Sequence, residues 1–413
     1  MLPEPTFTFT IPSVHDDTPL DCRIYNPPHK VLNSIDSDEQ WHPRGAIFAH
    51  PYAPLGGCFD DGVVLSVTAE VLKQGFVVGT FNFRGAGSSQ GRTSWQAKPE
   101  IDDYVSFIGF FVHYMDSLRQ SVSHLPSERI FEPTLSPIQS AYNTFPEPDA
   151  TTATQGIKLV LGGYSYGALI AMQLPTLEVI LKRFQSVAKG TAEAEARLRA
   201  VSLAAQWSKD AHLQHEKRQV GRAGSCEKIR NSARSMAVAM GGDESEPGSR
   251  RHSHDSRRSL DAVRRSVERG RRKLGLKRHY YMMSEEALIE ESLTSTNVPT
   301  PQTCYLLISP PLHLVTTIIT MFSSLIRMNT PYSEEKICYS PTLMVYGDKD
   351  FFTSQKRYRK WAELLMAKPG SRFQFHEVAG AGHFYRENGV EPELRRCIRE
   401  WIQTVTHGPA LGD

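Results

Sequence analysis

Apolar and polar positions alternate cleanly over Thr6-Phe-Thr-Phe-Thr-Ile11 and again over Leu20 to Tyr25, a period of two that predicts an antiparallel pair of strands opening a sheet. Later apolar runs are short and unbroken: Gly45 to His50, Phe76 to Phe83, Ile157 to Leu161, Cys304 to Ser309, Thr342 to Tyr346 and Arg372 to Val378. Runs of this length bounded by turn residues read as strands buried on both faces. Between them the period changes to that of a helix over about Val63 to Leu72, about Glu100 to Leu118, from Ala168 to about Phe184, and Val390 to Val405. On the second of these, Tyr104, Phe107, Phe110, Phe111 and Tyr114 fall on one side and are expected to cover the sheet as core. Strands alternating with helices imply a largely parallel sheet with helices on both faces.

Two stretches break this rhythm. Residues 119–155 are rich in Pro, Ser and Thr with little periodicity and read as a loop insertion. Residues 182–300 hold 24 Lys and Arg against 15 Asp and Glu, leaving the rest of the chain acidic although the whole carries a formal charge of only +2. Stretches such as Gly242 to Arg251 lack the apolar surface to form an ordered layer, so 185–300 is expected to be a low-order basic insertion with a fraying helix near Leu260 to Lys277. It reads as a solvated insertion. A sharper expectation is a protein partner or a kinase acting on it, because Ser259 and Ser266 each follow a pair of arginines. The expected folded body is therefore discontinuous, 1–184 and 301–413.

The near-balanced charge excludes an argument for nucleic acid. Six cysteines without paired spacing suggest reduced thiols and no metal site. The N-terminal residues lack a basic segment followed by an apolar one, and the apolar stretch near Leu312 to Ile326 is too short for a bilayer. The expectation is a cytoplasmic protein without a transmembrane span.

The chemistry concentrates at Gly163-Tyr164-Ser165-Tyr166-Gly167, a G-x-S-x-G placed between a strand and a helix. The turn is so tight that side chains at 163 and 167 would collide, and Ser165 would stand at its tip. A serine hydroxyl needs a base, and the base an orienting carboxylate. His383, in Gly380-Ala-Gly382-His383 after the last strand, is the candidate base. Asp348 and Asp350 both follow the Thr342 strand; Asp350, further round the turn, is the favoured acid, with Asp348 as a turn residue. The glycine-rich loop Arg84 to Gly91 has the wrong spacing for a dinucleotide fingerprint and is expected to rim the site, Arg84 and Ser88 serving as structural hydrogen-bonders.

Together, His50-Pro51, Asn82-Phe-Arg84-Gly-Ala-Gly87-Ser88, the Ser165 motif, Gly347-Asp-Lys-Asp350 and Gly382-His383-Phe384 resemble the α/β-hydrolase superfamily. The likeness is strongest to its small uncharacterised serine hydrolases related to the dienelactone-hydrolase and dipeptidyl-peptidase-like groups, although Tyr52 stands where that subgroup carries a second His. The resemblance implies an α/β-hydrolase fold with about eight strands and an oxyanion hole from the backbone N–H groups of Tyr52 and Tyr166. It implies no cofactor and a small-molecule acyl substrate. A substrate lid is expected over Pro310 to Lys336, with Leu314, Ile318, Ile319, Met321 and Phe322 lining an acyl pocket. The implied function is cleavage of a carboxylic ester or thioester through an acyl-enzyme on Ser165. A peptidase of the same fold and a non-catalytic interaction protein remain as alternatives.

Overall fold

A computed structural model describes residues 2–28, 44–94, 96–123, 157–211, 298–312 and 331–407. Contacts divide the chain into one unit of 1–208 with 295–413 and a second of 209–294. All eight strands of the sheet lie in the first.

The alternating pair forms as expected: β1 (Phe7–Pro12) runs antiparallel to β2 (Pro19–Tyr25), with Phe9 opposite Cys22. β3 (Arg44–Ala49), β4 (Val77–Phe81), β5 (Lys158–Tyr164), β6 (Gln302–Ile308), β7 (Thr342–Gly347) and β8 (Phe373–Val378) come next, in the spatial order β1-β2-β4-β3-β5-β6-β7-β8. Only the β1–β2 and β2–β4 pairs are antiparallel. The helices are α1 (Gly62–Lys73), α2 (Lys98–Ser123), α3 (Tyr166–Gln173), α4 (Leu177–Arg183), α5 (192–211), α6 (Pro331–Tyr339), α7 (Gln355–Met366) and α8 (Val390–His407).

The central strands divide their side chains between two cores, which is why they read as unbroken apolar runs. Ile47, Leu161, Leu307 and Met344 join the core that contains Phe107, Phe110, Phe111 and Tyr114 of α2 and the apolar residues of α3 and α4. Phe48, Val160, Leu306 and Val345 join the other, with Val64, Val67 and Val71 of α1 and Leu394, Ile398 and Trp401 of α8. A buried ion pair locks the β4 loop to α2: Arg84 meets both carboxylate oxygens of Asp103, at 3.0 and 2.7 Å, and also reaches Ser13 and Asp16.

Four expectations change. The helix after Ser165 is two helices, because Pro175 cannot continue α3 and Leu174 before it is extended (φ −55°, ψ 144°). The structural hydroxyl of the glycine-rich loop belongs to Ser89, which donates to the Asn82 carbonyl and accepts from the Asp21 N–H, while Ser88 is exposed. Helix α2 runs to Ser123, taking up the start of the supposed 119–155 loop. The segment from 185 is not of low order throughout: α5 buries Ala192, Ala196, Ala200, Ala204 and Trp207, and Arg197 donates to the carbonyls of Phe184 and Gln185. An alanine stripe at i, i+4 packs as closely as a leucine one, but the charge count over the whole stretch hides it. Residues 124–156 and 212–297, with Ser259 and Ser266, lie outside the described residues, as do Leu314, Ile318, Ile319, Met321 and Phe322 of the expected lid.

Candidate active site

Ser165 joins β5 to α3 with φ +54° and ψ −114°, a conformation L-residues avoid. Two glycines make it sterically accessible. A Cβ on Gly163 would stand 2.3 Å from the Gly167 carbonyl carbon, and one on Gly167 would stand 2.5 Å from the Ala49 carbonyl oxygen. The Ser165 N–H donates to Ile308 O at 2.8 Å, anchoring the tip to β6.

The structure brings Ser165, His383 and Asp350 together. Ser165 Oγ is 2.9 Å from His383 Nε2, and His383 Nδ1 is 2.7 Å from Asp350 Oδ2. A carboxylate at Nδ1 requires the proton there, which leaves Nε2 as the acceptor facing the hydroxyl. Asp350 Oδ1 accepts from the Phe352 and Thr353 N–H groups at 2.8 and 3.2 Å, and Tyr358 donates to Oδ2 at 3.3 Å. Both His383 and Asp350 are buried. Asp348 instead caps the neighbouring turn, its Oδ1 accepting from the Gly380 N–H at 2.7 Å.

Tyr166 is the first residue of α3, so its N–H has no acceptor within the helix. Tyr52 lies in the loop after β3, with its ring centroid 5.1 Å from that of Tyr166. His50 orients this loop. Its Nε2 accepts from the Phe83 N–H at 2.9 Å, so Nδ1 carries the proton and donates to Pro51 O at 2.6 Å. The Pro51 carbonyl is thereby tied to His50, and in a trans peptide the N–H of Tyr52 points the opposite way. Burial pushes the His50 pKa down to about 4, which keeps the imidazole neutral as this arrangement needs.

Three contributors were not anticipated from the sequence. Tyr164, immediately before the serine, donates to the His383 carbonyl at 2.8 Å and so ties the histidine loop to the elbow strand. Tyr358 of α7 reaches Asp350. His50, expected only as part of a loop, holds Pro51. Neither tyrosine carried a signal in the sequence, since each stands in a strand or helix and reads as core.

An eight-stranded sheet in which β2 alone runs against the other seven strands, with a serine at positive φ between the central β5 and its helix, decides the architecture. The chain has the α/β-hydrolase fold. No family model and no curated protein sequence matches it. Among solved structures, this α/β-hydrolase-fold chain is similar to an α/β serine hydrolase homologue from Coxiella burnetii, at 14% identity over 97% of this chain and 99% of that one, with a TM-score of 0.41. It is also similar to a lidless α/β serine hydrolase from Xanthomonas campestris (13% identity, 98% and 97% covered, TM-score 0.43) and to an esterase from Pyrococcus furiosus (11%, 96% and 90%, 0.42). The fold assignment rests on this chain's own strand order and serine turn rather than on these distant likenesses. Among the described residues, no group of three His, Cys, Asp or Glu is arranged to hold a metal ion, five cysteines are unpaired, and no helix is long and apolar enough to cross a membrane.

Proposed function

We propose that the protein is a serine hydrolase that cleaves a carboxylic ester or thioester through an acyl-enzyme on Ser165. The observation that carries this is the hydrogen-bonded chain from Ser165 Oγ through His383 to Asp350. As Ser165 Oγ bonds to the acyl carbon, its proton passes to His383 Nε2, and Asp350 stabilises the resulting imidazolium. The carbonyl oxygen becomes an oxyanion, for which the N–H groups of Tyr52 and Tyr166 are the donors. The bond to the leaving group then breaks and the leaving oxygen or sulfur takes the proton from His383. Water attacks the acyl carbon while giving a proton to His383; the acyl–Oγ bond breaks and the proton returns to Ser165. No cofactor is needed.

Fluorophosphonate labelling is the direct test. Labelling of the wild type that disappears in Ser165→Ala, with hydrolysis of p-nitrophenyl esters lost in parallel, is the expected result. A folded wild type that neither labels nor turns over any ester or aminoacyl amide would leave a non-catalytic role for the fold.

A further inference from the structure

The residues around His383 are unusual in being aromatic and exposed. Phe384 is 47% exposed and Phe351 66%, with their ring centroids 5.7 Å apart and each within 6 Å of the imidazole, at 5.6 and 5.9 Å. Phe384 also forms one wall of a cleft of about 300 Å³ that runs past Arg386 and Ser66 to Leu394, beside the N-terminal end of α1. The acidic groups of this cleft already have partners. Asp61 accepts from the Val63 N–H as the cap of α1, and Glu391 is held by Ser66 and Arg395. Arg386 is exposed, its guanidinium lies 5.3 Å from the Phe384 ring centroid, and among the described residues it makes no ion pair, feeling the Asp61 carboxylate only as a longer-range charge.

The position of this cleft relative to the reaction decides what it would hold. During acylation, the leaving group must depart with the proton carried by His383 Nε2, so it lies on the histidine side of the acyl carbon. The acyl part lies toward Ser165 and the two N–H donors. The cleft begins at the residue after His383. We propose that it is the leaving-group subsite, and that the preferred substrates are esters or thioesters whose alcohol or thiol carries a flat apolar group bearing an anion. The apolar group packs on Phe384 and the carboxylate or similar anion pairs with Arg386. A planar guanidinium with a free fork suits an oxyanion, and an exposed phenyl face suits an aryl ring in offset or edge contact. This inference rests on the serine-hydrolase reading and specifies its substrate class.

The test compares two butyrate esters, of 3-hydroxybenzoate and of 3-hydroxybenzamide, which differ by a charge and little in shape. The wild type should favour the carboxylate over the amide by about three- to fivefold in kcat/KM, as a partly exposed ion pair gives. In Arg386→Gln that ratio should fall to near one, through KM for the carboxylate ester. In Phe384→Ala, KM should rise for both esters and the ratio should persist. Equal turnover of the two esters by the wild type, or a preference that survives Arg386→Gln, overturns the subsite. If no ester is turned over and Ser165 does not label, the hydrolase reading fails first and the subsite falls with it.

Discussion

Tyr358 Oη lies 3.3 Å from Asp350 Oδ2, the same oxygen that accepts His383 Nδ1. The phenol and the imidazole therefore share one carboxylate oxygen in a buried setting, and whatever charge the phenol draws is not offered to the histidine. Tyr358→Phe removes that competition. With Oδ2 left to the histidine alone, the His383 imidazolium formed during acylation should be better held and kcat/KM on a p-nitrophenyl ester should rise by about two- to threefold, the worth of a modest hydrogen bond. An unchanged kcat/KM in a folded variant would show that the phenol is only packing.

Asp350 and Asp348 are two residues apart and make opposite predictions. Asp350→Asn should lower kcat by about 10⁴-fold, because an amide at His383 Nδ1 no longer fixes the tautomer that leaves Nε2 free. Asp348→Asn keeps an oxygen for the Gly380 N–H and should change kcat by less than about threefold. Steady-state kinetics on one p-nitrophenyl ester separates the two.

His50 sets part of the acid sensitivity of folding. Its folded pKa of about 4 lies below the ordinary 6.5, so the unfolded chain binds the extra proton between those values. Its contribution to stability is fully present above about pH 6.5 and is lost as pH falls toward 4, by on the order of 3 kcal/mol in all. His113, pushed down to about 3 by burial in α2, acts in the same direction. His50→Gln should thus flatten, without abolishing, the fall in urea midpoint between pH 6.5 and 4. An identical pH slope in wild type and variant would contradict the assignment.

The alanine stripe of α5 limits how much of the basic segment can be removed. A deletion of 190–295 takes away Ala196, Ala200, Ala204 and Trp207 from the core and should leave an unstable protein. A deletion of 212–294 retains them, and Ser165 labelling should survive it. Within α5, Trp207→Ala alone should lower the melting temperature by several degrees, following a loss of about 3 kcal/mol; thermal unfolding followed by circular dichroism measures this.

Much of this protein was legible along the chain because the forces involved are local. Alternation over Thr6 to Ile11 marks β1 since side chains on a strand must take opposite faces. The five residues around Ser165 announce their own turn, because a clash at 163 or 167 arises within a few bonds of the serine. The choice between Asp348 and Asp350 was only a preference in the sequence, and β-sheet register decides which one meets His383. Pairing of Gly347 with Val378 directs the Asp348 N–H to Val378 O and the Lys349 N–H to Ala381 O, which turns Asp348 toward Gly380 and carries Asp350 under the histidine. Tyr164 and Tyr358 were silent for a related reason: a tyrosine at helical or strand spacing reads as core until its hydroxyl is seen to meet a carbonyl or carboxylate from another element. In α5 the sequence carried the stripe, but an amphipathic face of alanines has meaning only when a partner surface is there to receive it, and only the packing around α2 and α4 supplied one.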